Sequence, residues 1–262
     1  MSDDKDNFRP IRPVVDNSSR AVRVVTAKPP LEDERNREEI RRMAEFGRLS
    51  HSELESLKVI HPGMRQPRVM NAFRELRTKL YQLAGDRDNF VLLITSLSAG
   101  GGSTFVTTNL GAAIALDESK TALIVDCNVY DPALHQLLPI EPDYGLIEYL
   151  ENITLDTKDV IYSTGVRRLR LIPAGARQQP GSEFFTSSRM KRLLQELRTR
   201  YRDRYIIIDS PPISSSADAR ILAELCDYVM LVVPHGQVTP EQIQSGIDAI
   251  GPEKLAGVIF NT

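Results

Sequence analysis

Three consecutive glycines, Gly100–Gly102, lie between an apolar segment and a segment with helical character. The apolar segment, residues 90–95, has the composition of a buried strand, and residues 103–117 have the spacing of a helix. A strand, a glycine turn and a helix N-terminus together bind an anion, because glycine lets the backbone approach it and the first-turn N–H groups point at it. Triple glycine also occurs in simple flexible turns. In this position it predicts a phosphate cradle made of Gly100, Gly101, Gly102, Ser103 and Thr104.

The lysine that such loops usually carry is absent. Phosphate-binding loops commonly end in Gly-Lys-Ser or Gly-Lys-Thr, where the lysine reaches the β- and γ-phosphates and the hydroxyl holds Mg²⁺. Here Ser103 occupies the lysine position and Thr104 the hydroxyl position. Losing one charged contact costs about 1.5–3 kcal/mol, which is roughly ten- to a hundredfold in affinity. The loss of rate is expected to be larger, since the lysine opposes charge on the transferred phosphoryl group.

Apolar strands alternate with helices along the rest of the chain. Strands are predicted at residues 90–95, 122–126, 169–173, 205–209, 228–233 and 257–260, and helices at 68–84, 103–117, 187–200, 216–225 and 240–250, with helical pieces near 132–138 and 145–151. Strands that are continuously apolar and separated by helices are typical of an α/β fold, in which helices cover both faces of a mostly parallel sheet. Ligands of such folds bind at the carboxyl ends of the strands.

Two aspartates end predicted strands at that edge of the sheet. Asp126 follows the run Ala-Leu-Ile-Val, and Asp209 follows Tyr-Ile-Ile-Ile. An aspartate after a buried strand is often only a turn former or helix cap, but beside a phosphate loop it holds the magnesium shell. The sequence therefore predicts Thr104, Asp126 and Asp209 as Mg²⁺ ligands, with the two aspartates as the catalytic carboxylates if the protein is active. The cofactor expected is ATP or ADP with Mg²⁺, bound weakly or not at all.

The chain divides near residue 66 into an N-terminal extension, residues 1–66, and a nucleotide-binding domain, residues 67–262. Four prolines and many polar residues in positions 1–30 predict a disordered tail. Residues 31–48 alternate acids and bases at helical spacing, which indicates a solvated helix or, alternatively, a helix that docks on a partner. The pattern Ser50-x-x-Glu53 predicts a capped short helix over residues 51–58.

Composition excludes several classes of protein. The formal net charge of −2 gives no basic field for nucleic acid. The longest apolar run is too short to cross a bilayer, and the first residues lack the apolar core of a signal peptide. Two cysteines, Cys127 and Cys226, make no disulfide framework. We therefore expect a cytoplasmic protein without direct membrane insertion.

From about Ala72 to Thr262 the chain resembles the bacterial tyrosine kinases of capsule and exopolysaccharide synthesis, in the ParA/MinD-like branch of P-loop ATPases. Their loop usually reads Thr-Ser-x-x-Pro-Gly-Glu-Gly-Lys-Ser/Thr, and residues 95–104 align with it without a gap. Residues 123–132 resemble a second acidic motif, Asp-x-Asp-x-Arg-x-Pro, and Asp209-Ser210-Pro211-Pro212 resembles the Walker B region. The resemblance implies a P-loop fold, ATP with Mg²⁺, and a kinase or ATPase ancestry.

Several departures from the family pattern indicate a degenerate member. Besides Ser103, the second acid of the acidic motif is Asn128 and its arginine is Tyr130. The family's C-terminal tyrosine cluster has no counterpart, since the last tyrosine is Tyr228. The assembly motif Glu-x-x-Arg-x-x-Arg is matched with asparagine in place of its glutamate, and it implies that Arg74 and Arg77 contact a neighbouring subunit of a homo-oligomer. The alternative is a surface helix whose arginines are solvated.

Three functions are compatible with these residues. The favoured one is a cytoplasmic scaffold or regulator that acts on an inner-membrane polysaccharide co-polymerase, peripheral to the inner membrane through that partner. The second is an active ATP-dependent protein tyrosine kinase controlling polysaccharide chain length and export, with a cation from Arg74, Arg77 or a partner replacing the lysine. The third is a ParA/MinD-like positioning ATPase, which is disfavoured because that branch's additional loop lysine is also absent.

Overall fold

A seven-stranded sheet forms the centre of the computed structural model, which describes residues 47–64, 67–85, 87, 89–138, 141–176, 182–200 and 204–261. The strands of this part of the chain are β1 Val91–Ser96, β2 Thr121–Asp126, β3 Tyr162–Ser163, β4 Leu169–Ile172, β5 Arg204–Asp209, β6 Tyr228–Pro234 and β7 Leu255–Asn261. Their order across the sheet is β3-β4-β2-β5-β1-β6-β7. All neighbouring pairs are parallel except β3 with β4, so the predicted mostly parallel sheet is confirmed.

Helices cover both faces of this sheet. They are α1 His51–Ser56, α2 Pro67–Ala84, α3 Ser103–Ala115, α4 Leu146–Glu151, α5 Ser182–Thr186, α6 Ser188–Arg200, α7 Ala217–Leu225 and α8 Pro240–Ile250, with short 3-10 turns at Leu134–Leu137, Thr157–Asp159 and Pro252–Lys254. The first three pack on one face, and the others lie on the opposite face. The predicted α/β architecture is thereby confirmed in its layers as well as in its sheet.

The central strands are buried from both sides. In β1, Leu93 belongs to the apolar layer under α4–α8, whereas Leu92 and Ile94 belong to the layer under α2 and α3. Full burial of each such side chain contributes about 1.5–3 kcal/mol. Because both faces of the strand are covered, its sequence is continuously apolar rather than alternating.

The structure differs from the sequence prediction in small ways. The segment predicted as helical near residues 132–138 contains only a 3-10 turn, Leu134–Leu137, and the helix predicted over 187–200 is preceded by the separate helix α5. The two-residue strand β3 was not predicted, because its half-exposed residues have no apolar pattern. The predicted tail over residues 1–30 and nearly all of the charged helix over 31–48 lie outside the described residues.

Residues 47–64 form what we term the N-terminal strap, which packs on α3. The predicted capping box of α1 is confirmed: Ser50 N–H donates to Glu53 Oε2 at 2.8 Å, and Glu53 N–H donates to Ser50 Oγ at 3.3 Å. The buried side chains of the strap, Leu54, Val59 and Ile60, join the apolar layer beneath α2 and α3. The domain division at residue 66 stays a prediction.

Asn109, in the middle of α3, binds the strap through its buried amide. Its Oδ1 accepts from Ile60 N–H at 2.8 Å, and its Nδ2 donates to the carbonyls of Lys58 at 3.0 Å and Phe105 at 2.9 Å. The strap backbone is therefore tied to the same helix that follows the glycine loop.

None of the helices described is long and apolar enough to cross a bilayer.

Replacing Asn109 with alanine should destabilise the protein by about 2–4 kcal/mol, because it leaves a buried N–H and a carbonyl of the strap without partners. Urea denaturation followed by circular dichroism measures the free energy of unfolding. The control Gln244→Ala removes an exposed side chain of α8 that bonds only to Asp248 among the described residues, and should change stability by less than about 0.5 kcal/mol. Equal stability of the two variants would contradict the assigned role of Asn109.

Candidate nucleotide-binding site

The glycine loop connects β1 to α3 with a backbone that suits an anion. Gly100 and Gly102 have φ values of 70° and 91°, a left-handed backbone conformation that residues other than glycine rarely adopt. Gly102 is the N-cap of α3 and has no side chain to accept from the first-turn N–H groups. The helix start therefore retains the donors and the positive dipole end that bind a phosphate.

Packing leaves no room for larger residues at Gly101 and Gly102. A Cβ added at Gly101 would lie 2.7 Å from Ser96 Cβ. One added at Gly102 would collide with the amide nitrogen of Asn261, at the end of β7. The same amide donates to the Gly101 carbonyl at 3.2 Å. Both glycines are thus required by the packing around the loop, whatever the loop binds.

The predicted magnesium residues meet beside this loop. Asp126 and Asp209 occupy the same register at the ends of the neighbouring parallel strands β2 and β5. Thr104 Oγ1 donates to Asp209 Oδ2 at 2.7 Å. Thr107, which the sequence reasoning missed, donates to Asp209 Oδ1 at 3.0 Å from one turn further along α3. Its signal was its position three residues after Thr104, on the same side of the helix.

Burial shapes the charge of both carboxyl groups. Desolvation raises the pKa of Asp209 to about 7, although the hydroxyls of Thr104 and Thr107 oppose that rise. Desolvation, followed by the neighbouring charge of Asp209, raises the pKa of Asp126 well above its ordinary value, against hydrogen bonds from the backbone of Asn128 and Leu134. Two buried carboxylates side by side repel each other unless a cation lies between them.

The acid pair fits a divalent cation. Asp126 Oδ2 is buried and has no hydrogen-bond partner among the residues that the structure describes. Carboxylate and hydroxyl oxygens are the donors that Mg²⁺ takes. Thr104, Asp126 and Asp209 are therefore suitable to hold Mg²⁺, and the unpartnered oxygen is the observation that favours it.

A cleft of about 790 Å³ opens in front of the loop. Gly100–Thr104 form one wall, and the segment Ser210–Pro212 with the start of α7 forms another. This volume lies in the usual range for a small-molecule site. Tyr130 reaches across the cleft, and its hydroxyl donates to Asp218 Oδ2 at 2.7 Å. Partial burial and this bond raise the pKa of Tyr130 to about 12.

The cleft is acidic. Asp131, Glu183 and Asp218 line it, and no lysine, arginine or histidine does so among the described residues. Ser103, at the lysine position of the loop, is buried and supplies only a hydroxyl. The electrostatics of the cleft thus oppose an unaccompanied phosphate, although the backbone favours one.

The two predicted assembly arginines lie on α2, away from the loop. Arg77 Nη1 donates to the Ala113 carbonyl at 2.7 Å. Ala113 follows Ser103 by ten residues, or about 15 Å along the helix axis. Arg74 is exposed on the same helix. A contact of Arg74 and Arg77 with a neighbouring subunit stays a prediction, but in this chain the guanidinium of Arg77 is held at the far end of α3.

Comparison with known proteins identifies the relatives of the chain. The tyrosine-protein kinase YwqD of Bacillus subtilis is 28% identical over 203 residues, which are 76% of this chain and 84% of that protein. The tyrosine-protein kinase CpsD of Streptococcus agalactiae is 27% identical over 209 residues, or 78% and 89% of the two chains. The tyrosine-protein kinase Wzc of Salmonella typhi is 28% identical, but the match spans only 27% of its length. No family model matches the sequence.

Solved structures agree with these relatives. The kinase domain of the Escherichia coli tyrosine kinase ETK superposes with a TM-score of 0.67 at 27% identity, covering 73% of this chain and 74% of that one. The cell division ATPase MinD of Pyrococcus furiosus has a TM-score of 0.53 at 22% identity, covering 65% and 71%, and shows the shared fold alone. The resemblance to bacterial tyrosine kinases on a MinD-like P-loop fold is thereby confirmed.

The stability of the metal-free chain should fall as the pH rises from about 4 to about 7. The folded chain holds the Asp209 proton up to about pH 7, whereas the unfolded chain releases it near pH 4, so folding is favoured at low pH. The slope for one proton is at most about 1.4 kcal/mol per pH unit. Urea denaturation in a chelating buffer measures it.

In the same assay, Asp209→Asn should flatten the slope, and Glu118→Gln, which changes an exposed acid, should not. Added Mg²⁺ should stabilise the wild type more at pH 8 than at pH 5, where the site is protonated. A slope that Asp209→Asn leaves unchanged would contradict the assignment of this proton.

Proposed function

We propose, on the premise that the chain is a relative of the bacterial tyrosine kinases with a P-loop ATPase fold, that it is a scaffold or regulator of exopolysaccharide assembly with little catalytic activity. It binds ATP or ADP with Mg²⁺ weakly and turns it over at a rate near zero. It works in the cytoplasm, at the inner membrane, through a polysaccharide co-polymerase. The family resemblance of the sequence supports the pathway and the partner.

One observation supports reduced activity more than any other: the glycine loop lines the cleft, and Thr104 connects it to Asp209 behind, but no basic residue lines the cleft among those described. A nucleoside triphosphate is a polyanion, and in this cleft it would lie beside Asp131, Glu183 and Asp218. Without a loop lysine, the described residues that line the cleft oppose the charge on the phosphates with helix-start N–H groups, to which a bound metal would add. Affinity and transition-state stabilisation are both reduced, the second more strongly.

The residues of the site divide the remaining tasks. The N–H groups from Gly102 to Thr104 hold and orient a phosphate at the start of α3. Thr104 and the acid pair of Asp126 and Asp209 hold Mg²⁺, which when bound supplies the positive charge that the acid pair and the phosphates share. Ser103 offers one hydroxyl contact to a phosphate oxygen and no charge. Binding without turnover suits a protein whose bound nucleotide fixes a conformation.

Calorimetric titration with ATP and Mg²⁺ tests the weakened site. We expect weak or undetectable binding by the wild type. The change Ser103→Lys should raise affinity by roughly ten- to a hundredfold, since it restores a charged phosphate contact. Thr104→Ala should remove the residual binding, because it deletes a metal ligand. Micromolar binding by the wild type, unchanged in Thr104→Ala, would contradict the proposed site.

An active tyrosine kinase is the second candidate, and the intact acid pair favours it. Thr104 bonds to Asp209, and Asp209 shares its register with Asp126; this supports a magnesium shell that a cation from elsewhere would complete. The tyrosines with large exposed areas that the structure describes, Tyr130 and Tyr144, are acceptors available outside a C-terminal tail.

Incubation with ATP and Mg²⁺ followed by phosphotyrosine immunoblotting separates the two candidates. We expect no signal from the wild type, and a signal from Ser103→Lys only if the rest of the machinery survives. The matched control combines Ser103→Lys with Asp126→Asn, which removes one carboxylate of the acid pair. Phosphotyrosine formed by the wild type and lost in Asp126→Asn would establish the kinase and reject the scaffold.

A further inference from the structure

A small cavity beside the phosphate loop brings a lysine of the strap close to the nucleotide site. It has a volume of about 200 Å³ and lies between the strap, the first turns of α3 and the 3-10 turn Leu134–Leu137. Lys58 and Thr104 both line it. Thr104 also lines the main cleft, so this threonine is the wall that the cavity and the cleft share.

The backbone of Lys58 adopts a conformation that is unfavourable for lysine. Its φ is 56°, and it follows Leu57, the C-cap of α1. Lys58 N–H donates to the Glu55 carbonyl at 3.1 Å, and Val59 N–H donates to the Leu54 carbonyl at 2.8 Å. This pair of bonds is the Schellman motif, in which the position of Lys58 is usually glycine. A side chain retained at a strained position suggests a task for that side chain.

The strap holds this lysine against the helix that follows the loop. The Lys58 carbonyl accepts from Asn109 Nδ2 at 3.0 Å, and the Oδ1 of the same side chain accepts from Ile60 N–H. Val59 and Ile60, on its C-terminal side, are buried in the core. The backbone is fixed while the side chain of Lys58 is exposed, and within the described residues its ammonium group has no ion pair.

We propose that Lys58 supplies the cation that Ser103 no longer provides, by reaching a phosphate held at the start of α3. The proposal rests on the proposed function, since it needs a nucleotide in the cleft. Its flexible four-carbon stem approaches from the Thr104 side rather than from within the loop. An exposed ammonium from a separate segment is screened by water and loses side-chain entropy on binding, so it restores only part of the affinity of a loop lysine.

Fluorescence titration of the full chain with Mg²⁺ and ADP carrying an N-methylanthraniloyl group tests this role. Lys58→Met should weaken binding about tenfold, the effect of losing one charged contact. Lys58→Gly should weaken it equally while raising the unfolding temperature, because glycine relieves the strain of the left-handed backbone. If Lys58 had a purely structural role, Lys58→Gly would not lower the nucleotide affinity while it raised the unfolding temperature.

The matched control is Lys79→Met, which removes an exposed lysine of α2 paired with Glu75 at 2.8 Å. It should leave nucleotide affinity unchanged. In the Ser103→Lys background, Lys58→Met should have a smaller effect than in the wild type, since the two lysines serve the same phosphates. If wild-type binding is too weak to measure, the comparison within this background decides, and a further loss of affinity supports the proposal.

The outcomes distinguish this proposal from the function on which it rests. Nucleotide bound by the wild type with unchanged affinity in Lys58→Met and Lys58→Gly overturns the lysine assignment and leaves the weakened site intact. Absence of binding in both the wild type and Ser103→Lys overturns the nucleotide site, and the lysine assignment with it. Equal affinities of Ser103→Lys with and without Lys58→Met, where the wild type is silent, also overturn the assignment.

Discussion

The adjacency of two buried carboxyl groups, Asp126 and Asp209, is the constraint on which the rest of the site depends. Parallel pairing of β2 with β5 places them side by side, and burial makes their joint ionisation costly without a cation. Thr104 and Thr107 stabilise one of the two, while one oxygen of Asp126 stays without a partner among the residues described. Protonation of Asp209 relieves this cost at low pH, and at higher pH a bound divalent cation would relieve it.

A phosphate site of this kind has two parts, the backbone cradle and the loop lysine, and the two depend on the fold to different degrees. The backbone cradle is part of the packing, because Gly101 lies against Ser96 and Gly102 against Asn261. It therefore survives whether or not a nucleotide is used. A loop lysine contributes to ligand binding rather than to packing, so its replacement by Ser103 leaves the fold intact. The shape of the loop is therefore no guide to the charge that the loop presents to a ligand.

Sequence alone predicted the features that depend on local patterns. Apolar runs gave the central strands, and Ser50-x-x-Glu53 gave the cap of α1, because each signal lies within a few neighbouring residues. The sequence did not predict β3, because two residues are too few to form an apolar pattern. It also did not predict the role of Thr107, whose partner Asp209 lies 102 residues away. Such contacts are set by the packing of α3 on the sheet, which local patterns do not record.

The strap shows most clearly what long-range packing adds to the sequence. Nothing in residues 47–64 suggests a link to the glycine loop, yet Asn109 ties their backbone to α3. The backbone of Lys58 is fixed by this bond and by the buried Val59 that follows it, beside a cavity that Thr104 also lines. If Lys58 serves the phosphates as proposed, nucleotide affinity depends on the packing of the strap, whereas a loop lysine would act independently of the strap.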